Sequence, residues 1–228
     1  MQLAEPVASS WKASLSLEFG FADQKTTLSR KVHDGPLVVQ KPLYPEGHEV
    51  CHAIVVHPPG GIAGGDELSL QVKTGNGAST LLTTPGAAKW YRSAGPWAKQ
   101  SVAFDVQGAL EWLPQETIVF DGALAESAYD VYLGAEAGFI GWDIVCLGRT
   151  GSGERFTRGS HSSCPCTPNA MRCLACAPAE RYHFAAPGVV SSTDEFFSVF
   201  TCRCNSSPPA MPPGGCTTIA WQTASPSG

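Results

Sequence analysis

The stretch Trp11-Lys12-Ala13-Ser14-Leu15-Ser16-Leu17-Glu18-Phe19-Gly20-Phe21 sets an apolar residue at every second position. Side chains of an extended chain point alternately to opposite faces, so this pattern predicts a strand with one buried and one wet face. The same alternation returns in Leu68-Leu70-Val72, which runs into the turn-forming Thr74-Gly75-Asn76-Gly77. It returns again in Val102-Phe104-Val106 before Gln107-Gly108, and in Tyr129-Val131-Leu133. Short strands at close spacing, with little helical periodicity, predict stacked or folded-over sheets in a mainly β protein with few helices. One helical turn is expected around Gly86 to Ser93, after Thr84-Pro85, although the proline can equally open a loop. No internal repeat of fixed length is visible, so spacing alone does not establish a solenoid.

Composition supports the β class and narrows the functions. The 228 residues include 24 Gly and 18 Pro, while charged residues make up only 15%, a balance that favours turns over long helices. A net charge of −5 leaves no basic footprint for nucleic acid or an anionic membrane. No run of 18 apolar residues occurs and the first fifteen residues show no secretory pattern, so a cytoplasmic location is expected.

The chain divides near Gly159. Residues 160–228 hold 3 Lys+Arg, 3 Asp+Glu, 9 of the 18 prolines and seven of the nine cysteines. Such a segment offers neither a solvated amphipathic face nor long pairing segments, so it is expected to be a disordered Cys/Pro/Ser-rich tail or the product of a reading-frame shift. Its pairs Cys164-x-Cys166, Cys173-x-x-Cys176 and Cys202-x-Cys204 raise a structural zinc protein as one alternative, though only one pair has the usual two-residue gap.

Three clusters in residues 1–159 can carry chemistry. Glu46, His48, Glu49, Cys51, His52 and His57 include every common transition-metal ligand type. If residues 50 to 57 form a strand, however, Cys51 and His57 share a face that His52 does not, which argues against one closed site. Asp66 and Glu67 follow the glycine-rich run Gly60-Gly61-Ile62-Ala63-Gly64-Gly65, where a pair of carboxylates can meet a cation or remain solvated. Gly64-Gly65-Asp66-Glu67 matches the motif of cyclic-dinucleotide synthases, but the alternating helices and strands of that domain are absent. Glu111 and Glu116 flank Trp112-Leu113-Pro114 and suggest, as a second alternative, a β-rich hydrolase with a carboxylate pair. No nucleophile elbow, His-Glu-x-x-His helix or P-loop is present, which lowers the expectation of an enzyme.

An ordered set of motifs links these clusters. It runs through Gly35-Pro36-Leu37, Tyr44-Pro45-Glu46, Cys51-His52, His57-Pro58-Pro59-Gly60-Gly61, Gly65-Asp66, Thr83-Thr84-Pro85-Gly86-Ala87 with Lys89 and Tyr91-Arg92, Glu111 through Glu116, Trp142-Asp143-Ile144 and Leu147-Gly148-Arg149. In these motifs residues 11 to about 158 resemble the urease accessory protein family UreD, called UreH in some organisms. The resemblance implies a non-catalytic scaffold with a β-solenoid-like stack of short strands over residues 1–159, incomplete at its C-terminal side. It implies work with UreF, UreG and urease apoprotein in delivering nickel, which is carried transiently and not as a tightly bound cofactor. It further implies Asp66, Glu67 and Asp143 along a nickel passage, with Lys89 and Arg92 shaping that passage electrostatically. Cys51, His52 and His57 remain candidates for metal contact.

Overall fold

A computed structural model describes residues 10–165, 181–184, 195–203 and 216–222. The strands are β1 (Lys12–Ala22), β2 (Lys25–Asp34), β3 (Val38–Val39), β4 (Val50–Val56), β5 (Glu67–Thr74), β6 (Ser79–Thr83), β7 (Ala88–Trp90), β8 (Ala98–Val106), β9 (Ala109–Leu113), β10 (Thr117–Val119), β11 (Leu124–Leu133), β12 (Gly138–Arg149), β13 (Glu154–Arg155), β14 (Gly159–Pro165), β15 (Arg181–Phe184), β16 (Glu195–Arg203) and β17 (Cys216–Gln222). The last three extend the two sheets at one edge each. The segments 166–180, 185–194, 204–215 and 223–228 lie outside the described residues, as do the side chains that the zinc alternative requires.

Chain order and sheet order together define the architecture. One sheet runs β15-β14-β11-β8-β5-β1-β2 and the other β17-β16-β12-β9-β6-β4-β3, so from β4 to β14 the main strands β4, β5, β6, β8, β9, β11, β12 and β14 alternate between sheets. Within each sheet the core neighbours are parallel. Each coil therefore lays one strand on each sheet before the next coil repeats the path, and the expected β-solenoid-like stack is what the chain builds. Ser79 sits against Ala109 and Ala109 against Gly138, steps of 30 and then 29 residues. A third, narrow face carries β7 beside β10 and β10 beside the second half of β12.

The alternation seen in the sequence becomes rows of stacked side chains. Leu15, Leu70, Val102 and Tyr129 are in register across four strands, and Leu17, Val72, Phe104 and Val131 form the next row. Facing them, Cys51, Thr80, Leu110 and Phe139 align on the second sheet, followed by Ala53, Leu82, Trp112 and Gly141. Phe104 joins the layers, its ring 5.7 Å from Trp112 and 5.5 Å from Phe139. Fully burying each Leu, Val or Phe side chain of these rows contributes about 1.5–3 kcal/mol.

At the N-terminal edge β1 turns back into β2 through Asp23 and Gln24, whose φ angles of 53° and 58° fit the mirror-image turn that suits strand twist. The exposed edge strand β2 is rich in charge, with Lys25, Arg30, Lys31 and Asp34, which discourages edge-to-edge pairing.

The helical turn expected near Gly86 is not formed. Ala88–Trp90 is a strand whose backbone groups are taken up from both sides: the Ala88 N–H donates to Glu116 O at 2.9 Å, and Lys89 O accepts from Ile62 N at 2.7 Å. With Trp90 only 1% exposed, burial of the indole between coils outweighs local propensity.

Two positions hold the coils at their corners. A Cβ on Gly108 would stand 2.2 Å from Ala78 O and 2.6 Å from Gly75 O, so the corner stacks backbone directly on backbone. Asp121 ties the last corner: its Oδ1 accepts from Thr157 N (2.8 Å), Thr157 Oγ1 (2.9 Å) and Arg158 N (3.0 Å). Burial alone would raise the Asp121 pKa, but these donors and the Arg158 charge together hold it below the usual carboxylate value.

Gly108→Ala should destabilise the fold by about 1–3 kcal/mol, because neither carbonyl can withdraw without breaking its turn. Gly86→Ala, where a Cβ meets nothing within 4 Å, should leave the thermal midpoint unchanged in the same measurement.

Asp121 also predicts an acid response. A folded pKa below the unfolded one contributes stability that is present above the unfolded value of 3.8 and is lost as pH falls through the folded value. Asp121→Asn should therefore cost about 1–3 kcal/mol near neutral pH and flatten the decline of urea-measured stability below about pH 4.

Candidate functional site

Between the inner faces of the sheets lies a cavity of about 340 Å³. The first sheet supplies Leu68 and Leu70 from β5, Gln100 and Val102 from β8, and Tyr129 from β11. Trp112 of β9, Ala88 of β7 and Thr117 of β10 line it from the other faces, and the loop from His57 to Ile62 closes one side. The wall residues that also meet solvent, Gly60, Pro85, Gly86, Lys89 and Gln115, mark its mouth.

The polar wall positions follow from parity. In β8 the inward residues are Ala98, Gln100, Val102, Phe104 and Val106, so Gln100 is the one amide in an apolar row. Its register partner on β11 is Ser127, which is 3% exposed, so a polar step crosses the first sheet beside the cavity. Thr117, inward on β10, donates its hydroxyl to Asp143 Oδ1 at 3.1 Å. Tyr129 is raised well above the usual phenol pKa, first by burial and then by the Asp143 charge, so it presents a neutral hydroxyl. Sequence reasoning passed over Gln100, Thr117 and Tyr129. The available signal was a polar residue at an inward position of an otherwise apolar strand.

The two buried carboxylates sit behind this wall. Asp66 is 3% exposed, and its two oxygens accept from Trp11 N at 2.7 Å and Ala63 N at 2.8 Å. Each oxygen keeps further lone-pair capacity. Asp143 is 5% exposed and reaches the wall through Thr117. His57 lines the cavity within reach of the Asp66 charge. Burial lowers its pKa, the Asp66 charge opposes that shift, and the imidazole is neutral near pH 7. Its Nε2 is buried without a hydrogen-bond partner among the described residues.

The remaining candidates fall elsewhere. Glu67, next to Asp66 in sequence, points to the opposite face and pairs with Lys12 at 3.4 Å in solvent. Lys89 borders the mouth, whereas Arg92 leaves the cavity and reaches Asp121 Oδ2 at 3.4 Å. Cys51 and His52 occupy opposite faces of β4. Cys51 is buried, with its pKa raised mainly by burial, and His52 Nε2 meets Glu46 Oε1 on the outer side at 2.6 Å. Among the described residues no three His, Cys, Asp or Glu side chains converge as a metal cage. Glu111 is exposed on β9, and neither it nor Glu116 lines the cavity.

The arrangement favours contact without capture. A cation inside would meet an imidazole, an amide and hydroxyls, with negative charge close behind but no thiolate cage.

Comparison with known proteins gives this geometry a family. The family model described as UreD urease accessory protein matches residues 12–164. A urease accessory protein UreD of Dechloromonas aromatica (strain RCB) is 59% identical over 152 residues, which is 66% of this chain and 53% of that protein. The UreD of Azoarcus sp. (strain BH72) is 54% identical over 151 residues, 65% of this chain and 53% of that protein. That of Acinetobacter baumannii (strain AYE) is 50% identical over 153 residues, with 66% and 53% covered. The chain thus spans about half the length of the curated relatives it matches. With the family model matching most of the sequence and the coiled β architecture in place, the chain belongs to the UreD family of urease accessory proteins.

Proposed function

We propose that the chain is a non-enzymatic scaffold of urease maturation that passes nickel toward apo-urease through the cavity between its sheets. The observation that supports this most strongly is the presence of two buried carboxylates near the wall: Asp143 accepts from the wall residue Thr117, and the charge of Asp66 acts on the wall residue His57. Their charges lower the electrostatic cost of a divalent ion in an interior that would otherwise repel it. The neutral donors His57, Gln100, Thr117 and Tyr129 offer only partial replacement of its hydration. Weak, sequential contact is what a carrier needs, since a tight thiolate site would trap the ion.

In this reading Cys51 stays a core residue, Glu67 belongs to the outer face and Lys89 sets the charge at one mouth. UreF, UreG and urease apoprotein are the partners, the cytoplasm is the setting, and nickel is cargo. Residues 1–159 carry the activity, and the described strands beyond them, β14 to β17, add to the edges of the two sheets. Among the described residues no helix is long and apolar enough to cross a membrane.

The proposal is tested in a full-length UreD relative carrying Asn at the position matching Asp143. Thr117 keeps an acceptor there but the negative charge is lost, so urease activation and bound nickel should fall at least fivefold while the thermal midpoint and assembly with UreF are retained. Full activation by this variant would remove Asp143 from the passage.

A further inference from the structure

The cavity wall carries an asymmetry that cation transfer does not explain. Among its lining residues there is no aspartate or glutamate, while Lys89 stands at the mouth in no ion pair among the described residues. The lysine is anchored there: Lys89 O accepts from Ile62 N at 2.7 Å, and its strand is in register with Ile118 of β10. His57 borders the same loop, with its carbonyl accepting from Gly60 N at 2.8 Å and its Nε2 buried and without a partner among the described residues. Beyond these two side chains the wall is mainly apolar, with Leu37, Val55, Leu70, Val102 and Trp112 around the interior. A preformed, largely apolar cavity with a few convergent polar groups is how proteins hold small organic molecules, and a volume of about 340 Å³ is near the lower end of such sites.

We propose that this cavity is also a binding site for a small amphipathic anion, an aromatic monocarboxylate, whose ring lies against Leu70, Val102 and Trp112 and whose carboxylate meets Lys89 and His57 at the mouth. The ring removes apolar wall from water. The carboxylate matches the single cationic rim and supplies an acceptor for an imidazole N–H when the other ring nitrogen is unprotonated. A neutral analogue keeps the first contribution and loses the second. An ammonium analogue meets like charge at Lys89. Occupation would fill the space proposed for the ion, so such a compound would act as a plug, but the site itself does not depend on nickel passage.

Binding is tested on the 228-residue chain by calorimetry with 2-naphthoate, 2-naphthylmethanol and 2-naphthylmethylamine. Intermolecular NOEs to the Leu70 and Val102 methyl groups locate the ring. The expected result is that naphthoate binds at least tenfold tighter than the alcohol, that the amine is weakest, and that the methyl NOEs appear. Lys89→Met, a change at an exposed side chain, should abolish the preference for the acid while leaving binding of the alcohol unchanged. Equal affinity for all three probes would overturn the proposal, as would NOEs only to exposed Trp11 or Trp97, no binding of naphthoate, or an acid preference that survives in Lys89→Met.

Discussion

Parallel register between coils is the constraint on which the rest depends. Leu15, Leu70, Val102 and Tyr129 lie side by side only because each coil returns to the same height. A slip of one residue would turn a whole row outward, and burial of the neighbouring rows forbids it. The corner at Gly108, where backbone packs on backbone, fixes the phase between sheets. The cavity is a consequence of that phase. It forms where the apolar rows give way to Gln100, Thr117 and Tyr129, at heights that the register brings together.

Charge is sorted by the same alternation. Asp66 and Glu67 are neighbours in the chain and opposites in the fold: one is held by two backbone N–H groups, the other is in solvent beside Lys12. An isolated buried carboxylate is costly, and Asp66 avoids that cost by capping the glycine-rich loop. Asp143 is held in a comparable way by Thr117. Fixed charges already satisfied by the protein can act on an ion through the wall without clamping it. The same sorting leaves Lys89 as the charged side chain on the wall itself, and so gives the interior a negative background and its mouth a positive rim.

The strongest strands were legible in the sequence because their alternation is long. In Lys12–Ala22 it runs from Ala13 to Phe21, and in Glu67–Thr74 and Ala98–Val106 the runs Leu68-Leu70-Val72 and Val102-Phe104-Val106 carry it. Ala88–Trp90 was not legible, since three residues carry no usable period and its partners, Glu116 and Ile62, are remote in sequence. The coil repeat was hidden for a related reason. Steps of 30 and 29 residues are kept by backbone position, while the stacked side chains, such as Thr80, Leu110 and Phe139, need only be small enough or apolar enough to fit. Parity within β4 separated Cys51 from His52 correctly, but nothing local could show that His57 faces a cavity built by strands as remote in sequence as the one that carries Tyr129. Asp66 came forward as an acid after a glycine-rich run and Asp143 through family resemblance, and their relation to the wall needed three-dimensional contacts.

Anomalous diffraction at the nickel edge from crystals soaked in Ni²⁺ tests the proposed ion route through the interior directly. Density inside the cavity, between His57 and Thr117 and weaker than full occupancy, is the predicted result. Density confined to the outer His52–Glu46 pair, with the cavity empty of metal at every soak concentration, would contradict it.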